Sequence, residues 1–354
     1  MKFQTDHERY FNLLAATAIG DSLGLPFENM PGKRVQKLTK SGLRQRFLFG
    51  RFGVISDDTE HALITARSLL DAGGDPDRFE RVLSKRLKRW LLAFPPGVGK
   101  ATLLSIISMW FVHPSKAGRK SAGNGPLMRA PIIGLYYAND ASLRDEMIVR
   151  STRMTHADPR ALFMAAGIAE IVSESANGPI TWSDMSRIFR SQTDKHAKPG
   201  DAKHVQELKK LLDILDDLGI RAQGMAIPLQ KIGCGNGIDG YCYRSALAAA
   251  YIVSANSNTW DAIRFAVSMG GDTDSTAAIA AALGAANSDL PADKLSGIRD
   301  WPVTPAYLEA HAGELVKRKP TSIPEPAYFT QLMRNAFVVA LDMGHILRRI
   351  FPPY

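Results

Sequence analysis

The stretch 270–286 constrains this chain more than any other: Gly-Gly-Asp-Thr-Asp-Ser-Thr leads into a run almost wholly of Ala, Ile and Leu. A helix built from that run is apolar on every face, so it has no side to offer to water and must be packed all round. The rest of the fold has to surround it. At its front, Asp272 and Asp274 stand in a Gly-led turn with the hydroxyls of Thr273, Ser275 and Thr276. Two readings of this cluster compete. Asp, Ser and Thr are ordinary helix starters, because their side chains accept from the orphan N–H groups of a first turn. Converging hard oxygens also suit Mg, Mn or Ca, and a divalent cation would relieve the repulsion between two anions held this close.

A second start of the same kind precedes the helical pattern of Ala62, Leu63, Ala66, Leu69 and Leu70. It reads Ser56-Asp57-Asp58-Thr59. Ser56 is the natural N-cap, and Asp57 and Asp58 suit the positive end of the helix dipole, so capping alone explains this segment. The repetition changes the balance. Two helix starts, each with paired aspartates beside hydroxyls and each leading into an apolar helix, are what a carboxylate-bridged two-ion site needs.

Helical spacing recurs along the whole chain, and no segment reads as a strand. Helices are predicted at 7–19, 79–92, 102–111, 141–175 with a break at 154–159, 181–190, 204–218, 245–254, 260–267 and 327–350. The first is expected to end in Gly20-Asp21-Ser22-Leu23-Gly24-Leu25-Pro26-Phe27-Glu28, where two glycines and a proline favour a turn. Asp21 then reads as a turn cap, whereas Glu28, after an apolar Leu-Pro-Phe, is harder to place at the surface. Gly123-Asn124-Gly125 offers lightly covered backbone N–H groups, with Pro126 suited to the first position of a new helix. Either an ordinary turn or a phosphate cradle fits that pattern. His156, at the 154–159 break, reads as a satisfied loop histidine, a ligand contact or a general acid.

The 354 residues, 45% of them hydrophobic, suffice for a large core, and no composition break divides them. One domain, 1–354, is expected, with 320–354 as a helical extension after Pro320, Pro324 and Pro326. The N-terminus lacks a signal-like apolar run and no segment has the apolar length of a membrane span, which points to a soluble, cytoplasmic protein. Cys234 and Cys242 read as free thiols. The net charge of +9 draws partly on Lys33, Arg34, Lys37, Lys40, Arg44 and Arg46. With no aromatic interleaving, this stretch argues against nucleic acid and for a solvated loop or a basic rim around a phosphate-bearing substrate.

Five motifs in order, Gly-Asp-Ser-Leu-Gly-Leu-Pro-Phe-Glu, Ser-Asp-Asp-Thr, Gly-Asn-Gly-Pro-Leu-Met-Arg, Thr-His-Ala-Asp-Pro and Gly-Gly-Asp-Thr-Asp-Ser, make the chain resemble an ADP-ribosylglycohydrolase from about Tyr10 to Ala286. The resemblance implies an all-α fold, a compact orthogonal helical bundle around a central site for two Mg2+ or Mn2+ ions, and removal of ADP-ribose from a modified protein side chain. It implies metal ligands at Ser56, Asp57, Asp58, Asp272, Asp274 and Ser275, an acidic residue near the ions at Glu28, and ADP-ribose contacts at Gly123, Asn124, Gly125 and His156. Tyr241 is implied on the adenosine side. Ser56 and Ser275 stand where the family commonly has threonine, which keeps the liganding oxygen, and Pro126 stands where a small residue is usual. The tail after Pro320 carries no family motif, so packing helix and partner-docking element are both open.

Glu28, Asp58 and Asp272 are thus the catalytic candidates, a carboxylate taking the proton of a water that attacks the anomeric carbon. A monomer acting on ADP-ribosylated protein is expected. The competing reading from another class is a non-catalytic binder of ADP-ribosylated protein or of a toxin, and a hydrolase of some other nucleotide or of free O-linked ADP-ribose is a third.

Overall fold

The computed structural model describes residues 4–47, 52–219, 224–285 and 292–348. Residue 286 of the Ala-rich run and residues 349–350 of the tail helix lie outside them. Among the described residues the architecture is α-helical, with seventeen α-helices and two strands of two residues each. In chain order the helices are α1 (Asp6–Gly24), α2 (Gly32–Leu38), α3 (Asp57–Ala72), α4 (Pro76–Leu92), α5 (Lys100–Ser108), α6 (Ala130–Tyr136), α7 (Ala141–Arg153), α8 (Pro159–Ser175) and α9 (Trp182–His196). There follow α10 (Ala202–Leu218), α11 (Ala226–Leu229), α12 (Cys242–Ala255), α13 (Thr259–Met269), α14 (Thr273–Gly284), α15 (Ala292–Ser296), α16 (Pro305–Lys317) and α17 (Tyr328–Arg348).

The Ala-rich helix α14 is buried along its whole length, as an all-apolar helix must be. It packs against α1, α12 and α13, with α3, α6 and α8 beyond. Its small side chains let these neighbours approach closely. The approach of α1 is the tightest: a Cβ on Gly20 would stand 2.4 Å from the Ala277 carbonyl oxygen, and one on Gly24 2.3 Å from that of Thr273. Here the sequence expectation needs correcting, because Gly20 and Gly24 do not end the helix. They carry α1 on to Gly24, and they are glycines because the backbone of α14 occupies the space a side chain would need.

A two-residue antiparallel ladder, β1 (Met30–Pro31) with β2 (Gly270–Gly271), pins the chain after α1 to the chain before α14. Gly270 and Gly271 have φ of 74° and 87°, a region closed to most side chains, and a Cβ on Gly271 would meet the Ile238 carbonyl at 2.1 Å. Other departures are smaller. Part of the basic stretch 33–46 is helix α2 rather than loop, and α9 runs to His196, past its expected end at 190. Pro126 lies in a run of turns, and the following helix starts at Ala130 with Pro131 in its first turn. Cys234 and Cys242 are buried free thiols.

One large hydrophobic cluster runs from Tyr10 to Leu315, and a small second cluster joins Leu25, Phe47 and Val54 to Val338 of α17. No described helix is long and apolar enough to cross a membrane.

Candidate active site

The two acidic helix starts meet. Asp58, in the first turn of α3, accepts at Oδ2 from Ser275 Oγ of α14 at 3.0 Å and from Ser56 Oγ at 3.4 Å. Ser56 caps α3 as expected, its Oγ accepting from the Asp58 N–H. The front of α14 behaves differently. Asp272 occupies the N-cap position, yet its side chain caps nothing; its Oδ2 instead accepts from Asn124 Nδ2 at 2.7 Å. The capping reading therefore holds for Ser56 and fails for Asp272, whose carboxylate turns toward the cavity.

That cavity has a volume of about 380 Å³. Ser56, Asp57, Asp272, Asp274 and Ser275 form its acidic floor, and Glu28, Asn29, Gly123, Asn124, Gly125 and His156 line the cavity as well. The loop 96–99 and the start of α5 form another wall. Lys100 is the only Lys or Arg among the described lining residues, so the six basic residues of 33–46 do not rim this cavity. A smaller cavity of about 70 Å³, between α3, α4 and α16, is largely apolar and lacks such a carboxylate set.

So many acids in one place are costly without a counter-charge. Burial pushes the Asp58 and Asp274 carboxyls well above the usual range, and their mutual repulsion with Asp57, Asp272 and Glu28 adds to the effect. Asp57, partly open to the cavity, is raised in the same way. Asp58 Oδ1 and Asp274 Oδ1 are buried without a hydrogen-bond partner, and so are Ser22 Oγ and Thr276 Oγ1. An orphaned carboxylate oxygen costs several kcal/mol unless something positive reaches it. No three Asp, Glu, His or Cys side chains among the described residues close on one point; the fit to a metal rests on the donors themselves. Hard oxygens, excess negative charge and unanswered lone pairs are the chemistry that Mg2+ or Mn2+ satisfies.

Behind the carboxylates lies Asp21, which the sequence places in a turn by its local pattern. It lies in the last turn of α1, fully buried, and it caps a different helix. Its carboxylate accepts from the Ser56 N–H at 3.0 Å and the Thr59 N–H at 3.1 Å, and from the Thr59 hydroxyl. Burial raises its pKa to about 6 despite those bonds. Asp21 thus fixes the start of α3 from behind.

The His156 ring lies against the 123–125 loop, and a Cβ on Gly123 or Gly125 would come within 3.1 or 3.0 Å of it. Burial, with the Arg129 charge nearby, lowers the His156 pKa to about 3, so the ring is neutral. Arg129 is itself fully buried, bonded to Ser151, Thr155 and His61. Two of the loop amides are already engaged: Gly123 N–H donates to Ser121 Oγ and Asn124 N–H to the Gly240 carbonyl. The loop offers shape more than an amide cradle. Positive potential comes instead from α5, whose first turn lines the cavity at Gly99, Lys100, Ala101 and Thr102 and has no side-chain cap. Tyr241 does not line the cavity. Its backbone bridges Gly123, while its ring lies between the Arg160 and Arg244 guanidiniums and its hydroxyl donates to Glu207 at 2.6 Å.

A family model described as ADP-ribosylglycohydrolase matches residues 3–324. The chain belongs to that family. Among curated proteins it is 28% identical over 302 residues to an uncharacterized protein of Archaeoglobus fulgidus, covering 83% of this chain and 92% of that one. It is 25% identical over 298 residues to the uncharacterized protein YegU of Escherichia coli, covering 78% and 86%. A solved structure titled as an ADP-ribosylglycohydrolase-related protein complex superposes with a TM-score of 0.65 at 23% identity, covering 88% of this chain and 98% of that one, and shares the fold. The matched region stops before α17, yet Val338 and Asp342 of α17 line the cavity. Sequence reasoning missed these two residues, together with Lys100 and Thr102. No local pattern marks them, since only the tertiary fold brings α5 and α17 to this cavity.

Proposed function

We propose that the protein is a metal-dependent hydrolase that removes ADP-ribose from a modified protein side chain, reversing mono-ADP-ribosylation. The observation that carries this reading is the joining of two acidic helix starts, through Asp58 and Ser275, at the floor of a nucleotide-sized cavity inside a glycohydrolase-family fold. Ser56, Asp57 and Asp58 from α3 and Asp272, Asp274 and Ser275 from α14 would hold two Mg2+ or Mn2+ ions. Bound there, the ions would supply Lewis acidity toward the ribose hydroxyls and an acidified water.

The chain's own residues do the rest. Glu28, half-buried beside the floor, takes the proton of the attacking water; Asp58 is the second candidate for that role. Clustered carboxylates stabilise the positive charge that develops at the anomeric carbon as the bond to the carrier side chain breaks. Asn124 holds Asp272 in place from the loop, so the ADP-ribose wall and the acidic floor are mechanically linked. The uncapped first turn of α5 and Lys100 attract the pyrophosphate, and neutral His156 presents a flat face and a ring nitrogen rather than a charge.

The test is release of ADP-ribose from arginine-linked and serine-linked peptides with Mg2+, Mn2+ or chelator, beside Asp272→Ala. Metal-dependent release that Asp272→Ala abolishes supports the reading and identifies the bond. Tight ADP-ribose binding without release from either peptide would replace it with the binder.

A further inference from the structure

The tail helix α17 lies beyond the family-matched residues, and a deeply buried cation on it is bonded to the residue that leads into the acidic start of α3. Arg334 is 7% exposed. Its Nη2 donates to the Ile55 carbonyl at 2.7 Å, its Nη1 to Glu60 Oε1 at 3.1 Å, and its Nε to Asp300 Oδ1 at 2.9 Å. Asp300, 3% exposed, also accepts the Ile55 N–H at 2.9 Å. Both backbone groups of Ile55 are therefore held by a single buried ion pair, and Ile55 is the residue before Ser56-Asp57-Asp58. Glu60, one turn into α3, is tied to the same guanidinium and to Trp90 Nε1 at 2.7 Å.

We propose that Arg334, with Asp300, is a positioning residue for the metal-holding start of α3, which makes α17 a working part of the active site rather than an appended packing helix. The helix does two things at once. Arg334 sets the direction in which the chain enters α3, while Val338 and Asp342, one and two turns further on, stand in the cavity wall. The capping carboxylate of Asp21 grips the same Ser56–Thr59 turn from α1, so the metal motif is clamped between the two ends of the chain. A bidentate Arg–Asp pair suits this use, because its planar fork fixes an angle where a lysine would fix only a distance.

This inference rests on the proposed metal site, and the experiment separates the two. Mn2+ affinity is measured by calorimetry on full-length wild type, Arg334→Ala, Arg334→Lys and Asp300→Asn, with thermal unfolding as the check on folding and kcat and KM on any cleaved peptide. Residues that orient metal ligands from outside the coordination shell typically contribute about 10- to 100-fold in affinity. Arg334→Ala is expected to weaken Mn2+ about tenfold and to lower kcat more than it raises KM, with Arg334→Lys and Asp300→Asn in between. His345→Ala, which cuts a different anchor of α17 at the Pro26 carbonyl, is expected to leave Mn2+ affinity within about twofold. Wild-type affinity in folded Arg334→Ala overturns the inference alone, as does an equal loss in His345→Ala. Should Arg334→Ala not fold, Arg334→Lys and Asp300→Asn take its place, and wild-type affinity in both overturns the inference. Absence of Mn2+ binding to wild type overturns the metal site and this inference with it.

Discussion

Gly20→Ala is the sharpest test of the packing on which the site depends. In an exposed helix this change stabilises by about 1 kcal/mol, because alanine loses less entropy on becoming helical. In α1 the added Cβ would stand 2.4 Å from the Ala277 oxygen and 2.7 Å from the Ala277 carbonyl carbon. An ordinary carbon–oxygen contact is nearer ~3.3 Å, so α1 and α14 have to separate by close to an ångström, and they are backbone atoms that no rotamer change can move aside. Overpacking of that size costs about 1–3 kcal/mol or more, which exceeds the propensity gain. Net destabilisation of roughly 1–2 kcal/mol is expected in urea unfolding, and, on the proposed metal site, weaker Mn2+ binding, because α14 carries Asp272 and Asp274 at its front. Gly344→Ala in α17, where nothing lies within 4 Å, is the matched control and should stabilise by about 0.5–1 kcal/mol. If Gly20→Ala proved as stable as wild type, the close approach of α1 to α14 would be wrong.

The other predictions concern the acidic cluster and His156. Asp58→Asn removes one of the mutually repelling acids. The metal-free variant should unfold at a higher temperature than metal-free wild type and, on the proposed metal site, lack the upward shift expected for wild type with Mn2+, about 2.7 kcal/mol at a hundredfold excess over Kd. The pH dependence follows from Asp21, whose pKa rises from 3.8 to about 6 on folding. Between those values the folded protein holds a proton at Asp21 that the unfolded chain has released, whereas the neutral buried His156 and His311 act in the opposite sense; the Asp21 share, read as metal-free wild type minus metal-free Asp21→Asn, should therefore fall as pH rises from about 4 to 6. The raised Asp57, Asp58 and Asp274 carboxyls act in the same direction as Asp21; a wild-type-minus-Asp21→Asn difference that climbs over that range in chemical denaturation would refute the assignment. His156→Ala should weaken ADP-ribose binding about tenfold while leaving Mn2+ affinity intact, read by calorimetry with each ligand in turn.

What the sequence made legible was what local chemistry determines. An all-apolar helix announces its own burial, Ser56 announces a cap, and the order of five motifs identifies the family. What stayed hidden depended on which surfaces meet. Gly20 and Gly24 look like turn residues because a glycine pair in a helix has no local reason to exist; the reason is α14, some 250 positions away. Asp21 looks like a turn cap for the same cause, and only once α1 is continued does its carboxylate reach the amides of α3. Asp272 misleads in the opposite direction, because its position is that of a cap while its hydrogen bond goes to Asn124. The tail is the extreme case. Arg334 sits in a stretch with no motif, and its meaning comes from Ile55, which is itself an ordinary apolar residue in sequence. Apart from Asp272, which lines the cavity itself, each hidden feature braces a helix that carries a cavity carboxylate: Gly20 and Gly24 against α14, Asp21 and Arg334 at the start of α3. An acidic cluster that repels itself has to be restrained by the surrounding fold, and those restraints come from whichever elements the topology places there.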